Sequence, residues 1–175
     1  MEIGTMVAGL FALHAVALLF VPAVHTEFAK KPHLAAHFVA TLVGFAALAA
    51  FGTTLWLSGV ATGDEDCVTN HISGYCEGGA RIAHGMMAFQ TYEVSTTASS
   101  TSRPARHGTS SSIRQVLLAL YVPKLRGPSG DMLVHHLATL SLATLGAGYG
   151  YLHFYAPFFF GLTELSSVRT ALTHP

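Results

Sequence analysis

The strongest constraint on this chain is an apolar segment near its start, Ile3 to Val24, which contains no Asp, Glu, Lys or Arg. At a rise of about 1.5 Å per residue, a helix of this length crosses a hydrocarbon core of about 30 Å. A cleaved signal peptide is the alternative, but the segment follows Glu2 rather than basic residues, and its apolar part is long for a signal. We therefore expect Ile3 to Val24 to form a first membrane-spanning helix.

The composition agrees with a membrane protein. Hydrophobic residues make up 51% of the chain and charged residues only 10%, against about a quarter in soluble domains. The formal net charge is zero, and no basic stripe alternates with aromatic residues, so nucleic acid is not an expected partner. A length of 175 residues suits one transmembrane domain, spanning residues 1–175.

Further apolar segments predict an all-α, polytopic transmembrane bundle of about five helices. The segment Gly79 to Val94 is short and polar, which places it inside the bundle, and Pro157 can kink the last helix. The expected helices after the first are Leu34–Val60, Gly79–Val94, Asp131–Leu145 and Tyr151–Leu172.

The loops predict the orientation of the bundle. The Ser/Thr-rich stretch Ser95 to Ser112 has no apolar period, so we expect a flexible loop there. No acidic residue occurs between Val94 and Gly130, whereas acidic residues cluster between the second and third helices. By the positive-inside rule the basic loops are cytosolic and the acidic loop is lumenal or extracellular. The basic residues are Lys30, Lys31, Arg103, Arg106, Arg114, Lys124 and Arg126, and the acidic ones are Asp64, Glu65, Asp66 and Glu77.

The only two cysteines, Cys67 and Cys76, both fall in the acidic loop. In an oxidising compartment they can close a small disulfide ring, since their short separation makes closure cheap. Two free thiols are the alternative. Two cysteines at this spacing do not form a structural zinc site, so no metal is expected.

Four polar residues of the fourth helix share one side. At about 100° per residue, Asp131, His135, His136 and Thr139 fall within one wedge of the helix. Ionisable groups in a membrane segment normally face a bundle interior or a watered cavity. Asp131 could accept a hydrogen bond from His135 and raise its basicity, as in general-base sites. Alternatively, one imidazole bonds a neighbouring backbone group and the other lies at the interface.

Other polar residues of the apolar segments are weaker candidates. His84, Gln90 and Glu93 share no tight face, and Gln90 is suited to hydrogen bonding between helices. Glu164 lies late in an apolar helix, where it either finds a partner or sits at the membrane edge. Its candidate partners are His135, His136 and Arg169, while a haem would need His84 or His37 opposite His135 or His136.

The string Asp131-Met-Leu-Val-His-His-Leu-Ala-Thr139, followed by Tyr155-Ala-Pro-Phe-Phe-Phe-Gly-Leu-Thr-Glu164-Leu-Ser-Ser167, resembles the core of the TLC domain. Ceramide synthases, translocation-associated membrane proteins and smaller lipid-related proteins share that domain. The resemblance covers about Pro32 to Leu172 and is stronger to the smaller proteins, which carry a Glu-Leu-Ser element. The chain stops where the family supplies further helices, which implies a partial TLC-type barrel.

The resemblance implies a protein of the endoplasmic reticulum, or of an organellar inner membrane, that binds, senses or handles a lipid acyl chain. One alternative is a ceramide-synthase-like acyl-CoA N-acyltransferase, in which His135 or His136 acts on acyl-CoA and Asp131 orients it. Another is a structural subunit or assembly factor working with other membrane-protein subunits. No cofactor is firmly expected and haem is the least favoured. The residues expected to line the cavity are His84, Glu93, Thr139, Tyr155 and Glu164.

Overall fold

The computed structural model describes residues 2–24, 26–58, 66, 69–101 and 130–165, with only the backbone at 27, 97–101 and 130–133. This part of the chain is helical and contains no strand, which confirms the all-α class. The helices are α1 (Ile3–Val24), α2 (Thr26–Lys30), α3 (Pro32–Leu57), α4 (Glu77–Thr101) and α5 (Gly130–Tyr149), followed by a π-helical turn (Phe158–Leu162).

The first helices agree with the sequence prediction. Helix α1 has the predicted bounds, and α3 begins two residues earlier than expected, with Pro32 in its first turn, where a missing N–H costs nothing. By length and composition, α1 and α3 are each able to cross a membrane. Among the described helices these are the two that meet that criterion, so a bundle of five spanning helices is not established.

Helix α4 extends beyond its predicted end into the stretch expected to be a flexible loop. It continues to Thr101, and the hydroxyls of Ser95 and Thr96 find acceptors within the helix. Ser95 Oγ donates to Thr91 O at 2.7 Å, and Thr96 Oγ1 donates to Tyr92 O at 3.0 Å. The expected loop at 95–112 is therefore wrong for 95–101, and its remainder lies outside the described residues.

The last predicted helix, Tyr151–Leu172, begins later than expected. Helix α5 ends just before Gly150, whose φ is +72°, and Leu152 also has a positive φ of 62°. Residues 151–155 therefore form turns instead of helix. The turn beyond Pro157 is π-helical, since Thr163 N donates to Phe158 O five residues back at 3.1 Å. Residues 166–172 of the prediction lie outside the described part.

Contacts between the helices define two ends of the bundle. An added Cβ at Gly52, late in α3, would lie 2.7 Å from Ile82 Cδ1, early in α4, and one at Gly146, late in α5, would lie 3.3 Å from Ala83 Cβ. Helices α3 and α5 therefore run antiparallel to α4. We call the end where α4 begins the Glu77 end and the opposite one the Lys31 end.

A buried histidine connects separate parts of the chain at the Glu77 end. His153 is 1% exposed; its Nε2 donates to Gly146 O at 2.6 Å, and its Nδ1 accepts from Cys76 N at 3.3 Å. Leu152 N donates to Ile72 O at 2.7 Å beside it. These bonds join the end of α5 to the segment that leads into α4.

Helix α4 is the centre of the fold although it is more polar than α1 and α3. Its Ile82, Met86 and Phe89 are almost fully buried against Leu48 of α3 and Ala143 of α5. A second, smaller cluster joins α1 to α3 through Ala17, Val21, Ala35 and Ala36. The expectation that this polar segment lies inside the bundle is confirmed.

Candidate functional site

Glu93 of α4 is the centre of a buried polar network. Glu93 is 2% exposed, and its Oε1 accepts a hydrogen bond from the hydroxyl of Thr41 in α3 at 2.6 Å. Its Oε2 lies 3.4 Å from His37 Nε2 of α3 and 3.6 Å from His136 Nε2 of α5. One carboxyl group is therefore contacted from two neighbouring helices.

Tyr92, the residue before Glu93, connects this carboxyl to α1. Its hydroxyl lies 2.8 Å from His14 Nδ1 and 3.2 Å from His37 Nδ1. Since the phenol has one proton, it donates to one imidazole and accepts from the other. The His37 ring also stacks on the Tyr92 ring, with centroids 5.6 Å apart. Tyr92 and His37 thus join α1, α3 and α4.

His136 connects the carboxyl to α5. Its Nδ1 donates to Gln90 Oε1 at 2.8 Å, and Gln90 Nε2 donates to Met86 Sδ at 3.4 Å. His136 Nε2 then faces Glu93 Oε2 at 3.6 Å, which is within ion-pair distance but beyond hydrogen-bond distance. We call His14, His37, Thr41, Gln90, Tyr92, Glu93 and His136 the buried network.

The depth of the buried network matters for its interpretation. His14 lies near the midpoint of α1, the most apolar helix, and is hydrogen-bonded to α4 at that level. Ionisable residues in the middle of a spanning segment are expensive and are functional by default. Within the described residues, however, no group of three or more His, Cys, Asp or Glu side chains is arranged to hold a metal ion.

A second feature, an apolar groove, lies beside the network. It has a volume of about 920 Å³, runs between α1, α3 and α4, and is partly open. Its polar lining residues, Thr5, Arg81 and His84, all lie toward the Glu77 end. The other lining residues are Met6, Gly9, Leu10, Leu13, Val43, Gly44, Ala47, Leu48, Phe51, Ile82, Gly85, Ala88 and Phe89. The groove is therefore polar at one end and apolar along the rest.

Small residues make room for the groove. Gly44 allows α3 to approach Phe89, whose ring carbons would lie 2.6 Å from a Cβ at that position. A Cβ on Gly9 would meet nothing within 4 Å, because it would project into open space. The lining reaches Leu13 and Phe89, and His14 and Tyr92 of the buried network come within the next turn of the same helices.

The polar end of the groove carries one cation with a carboxylate partner. Arg81 Nη2 donates to Glu77 Oε1 one turn earlier, and both side chains are 66% exposed. His84 lies three residues after Arg81, which puts the two on one face of α4. Its Nδ1 is 2.8 Å from Ala80 O, and since a carbonyl only accepts, Nδ1 is the donor, while Nε2 has no hydrogen-bond partner within the described part of the chain.

The two histidines predicted to share one side of the fourth helix have different surroundings. His136 is 4% exposed and belongs to the buried network, whereas His135 is exposed. Thr139 donates to the His135 carbonyl of its own helix at 3.0 Å. The side chain of Asp131 lies outside the described residues, so its expected role of orienting His135 stays a prediction. Neighbouring residues point about 100° apart, and only one of the two histidines faces α4.

The remaining candidates lie apart from one another. Glu93 is central to the buried network and His84 lines the groove, as described above. Tyr155 lies at the Glu77 end, with its ring centroid 6.0 Å from that of His71. Glu164 follows the π-helical turn and is half-buried. Cys76 is buried and disulfide-bonded, and the sequence holds one other cysteine, Cys67, which lies outside the described residues.

Several members of the buried network were missed by the sequence analysis. His14 carried a usable signal, because it is an ionisable residue inside an otherwise uncharged apolar segment. His37 was considered only as a haem ligand. Thr41 carried no signal, since a threonine in an apolar helix is ordinary.

No family model, curated protein or solved structure matches this chain. The TLC resemblance accordingly stays a prediction that depends on the residues quoted for it.

Proposed function

We propose that this chain is an integral membrane protein that binds a lipid acyl chain in the groove between α1, α3 and α4. The observation that carries the proposal is the polarity of the groove, with Thr5, Arg81 and His84 at one end and apolar side chains along the rest. That gradient matches an amphiphile with one polar head and one hydrocarbon chain.

The surroundings of the groove support a membrane location. Helices α1 and α3 are long and apolar enough to cross a bilayer, and α1 leaves Leu19, Phe20 and Val24 exposed. Apolar surface of this kind is suited to contact with lipid. We propose that α4 and α5 complete a transmembrane bundle with them, and the TLC resemblance adds the endoplasmic reticulum as its membrane.

In this proposal the buried network keeps the groove in shape. The hydrogen bonds of Tyr92 to His14 and His37 hold α1 and α3 to α4 beside the inner part of the groove. Hydrogen bonds between helices serve this purpose in bilayers, where the hydrophobic effect provides little association. A groove of fixed width can then select a chain by its shape.

The test is to fill the groove without disturbing the fold. Ala47 and Ala46 are both exposed neighbours on α3, but only Ala47 lines the groove. Lipids extracted from the detergent-purified protein should include an acyl lipid at a stoichiometric level. Ala47→Phe should lose it and Ala46→Phe should keep it. Equal retention by the two variants, or no bound lipid in the unaltered protein, would refute the proposal.

A second candidate function is supported by the pairing of His136 with Glu93. An imidazole held by a carboxylate is the arrangement of a general base, which an acyl-CoA-dependent N-acyltransferase requires. Both residues of the pair are buried, and neither lines the groove. We therefore expect that the protein does not catalyse amide formation between acyl-CoA and a long-chain amine. Amide formation that disappears in His136→Ala and persists in His135→Ala would establish the enzyme instead.

A further inference from the structure

Selectivity for a lipid in this groove has to come mainly from the head group. A hydrocarbon chain that moves from the bilayer into an apolar groove exchanges one apolar environment for another, so burial of methylenes contributes little. This step rests on the proposed function, because it takes the groove to be a lipid site in a membrane. The head-group chemistry is therefore set by the polar lining, which is Thr5, Arg81 and His84.

The existing partner of Arg81 indicates which head group it binds. Arg81 already holds the carboxylate of Glu77, and Arg81 lines the groove whereas Glu77 does not. A guanidinium presents its donors in a planar fork that fits two carboxylate oxygens. Glu77 therefore occupies Arg81 as the carboxylate of a ligand would, from outside the groove.

The surroundings of Arg81 add two constraints. His84, on the same face of α4, has Nε2 as its remaining ring nitrogen, and the Thr5 hydroxyl lines the same end. The nearby Glu77 disfavours a head group with two negative charges, such as a phosphate monoester, by like-charge repulsion. A single negative charge with two hydrogen-bonding oxygens meets both constraints.

We propose that the groove binds a long-chain carboxylic acid whose head group displaces Glu77 from Arg81. The hydrocarbon chain then lies along Met6, Leu10 and Ala88 toward Phe89, away from the Glu77 end. An ester of the same acid keeps the chain but has no charge to bind Arg81. An amine of the same length is positively charged and is repelled by Arg81.

The experiment measures binding of hexadecanoic acid, its methyl ester and hexadecylamine to the full chain in lipid nanodiscs. The acid should bind at least about tenfold more tightly than the ester, since an ionic hydrogen-bonded contact is worth more than a neutral one. Arg81→Gln should remove that preference. Glu77→Gln should strengthen acid binding about threefold, because an exposed ion pair competes only weakly. Both variants change exposed side chains, and circular dichroism confirms that each is folded.

The outcomes separate this inference from the proposed function. If acid and ester bind equally and neither variant matters, the groove is a lipid site and the head-group assignment is wrong. Preference for the amine, lost in Glu77→Gln, would likewise overturn the assignment and give the head-group role to Glu77. If none of the three probes binds, and Ala47→Phe changes nothing, the proposed function fails together with the inference.

Discussion

The adjacent residues His135 and His136 allow a matched test of the buried network. His136→Leu removes the hydrogen bond to Gln90 and the contact with Glu93, and it leaves both of those groups buried. His135 is exposed, and its ring contacts the His136 ring of the same helix, with centroids 5.7 Å apart. The two variants carry the same substitution at neighbouring positions of α5, so their difference in stability reports the hydrogen bond to Gln90 and the contact with Glu93.

The magnitude follows from the two polar interactions that His136→Leu removes. A hydrogen bond between membrane helices is worth about 0.6 kcal/mol on average and up to about 1.7. A buried polar group without a partner costs about 1–3 kcal/mol. Glu93 keeps its contacts with Thr41 and His37, so Gln90 Oε1 is the group that loses its partner. The loss predicts a decrease of about 1–3 kcal/mol in the free energy of unfolding for His136→Leu. His135→Leu should stay within about 0.5 kcal/mol, as surface substitutions do.

The assay is reversible unfolding in mixed micelles of a mild detergent and dodecyl sulfate, followed by circular dichroism. A double-mutant cycle adds a second criterion, because Glu93→Gln should cost less when His136 is already Leu. Equal stabilities for the two single variants would show that the interactions of His136 carry no energy, and an additive cycle would show the same of its contact with Glu93. The same measurement would then remove the argument that the network fixes the groove.

Three further predictions concern topology, the disulfide and helix packing. Glycan acceptor sites engineered into 102–112 and into the acidic loop before α4 should be modified only in the acidic loop, from the positive-inside rule; the reverse pattern inverts the orientation. Cys67 and Cys76 should react with maleimide only after reduction, and the ring should add about 2.5 kcal/mol of stability; labelling without reduction would show free thiols. Gly52→Ala should lower stability by about 1–3 kcal/mol, because its Cβ would meet the backbone of the π-helical turn, whereas Gly148→Ala, with nothing within 4 Å, should not; equal thermal unfolding would contradict this.

Some of the fold follows from the sequence because it depends on local properties. The bounds of α1 come directly from the uncharged run that they enclose, and the interior position of α4 follows from its polarity. The extension of α4 to Thr101 did not follow, since hydroxyl groups bonded to their own helix remove the usual cost of Ser and Thr. Likewise, the positive φ values at Gly150 and Leu152 delay the last helix in a way that apolar composition does not reveal.

The site was less predictable because it is built across helices. Helical geometry placed His135, His136 and Thr139 in one wedge, but it contains no information on which part of that wedge faces α4. The partners of His136 are 46 and 43 residues away, and their approach depends on the packing of α5 on α4. The groove depends in the same way on the mutual approach of three helices at Gly44.

The polarity of α4 has a consequence for biogenesis if the proposed transmembrane bundle forms. The ribosome delivers α1 and α3 before α4, and these two helices are apolar enough to cross a membrane by length and composition. A charged side chain near the centre of an isolated helix raises the free energy of insertion by about 3 kcal/mol. In α4, both Glu93 and Gln90 make insertion less favourable. The earlier hairpin already presents His37 and Thr41, which are bonding partners for that carboxyl group. If α4 spans the membrane as proposed, it therefore inserts after α1 and α3 and meets partners for Glu93 that are already in place.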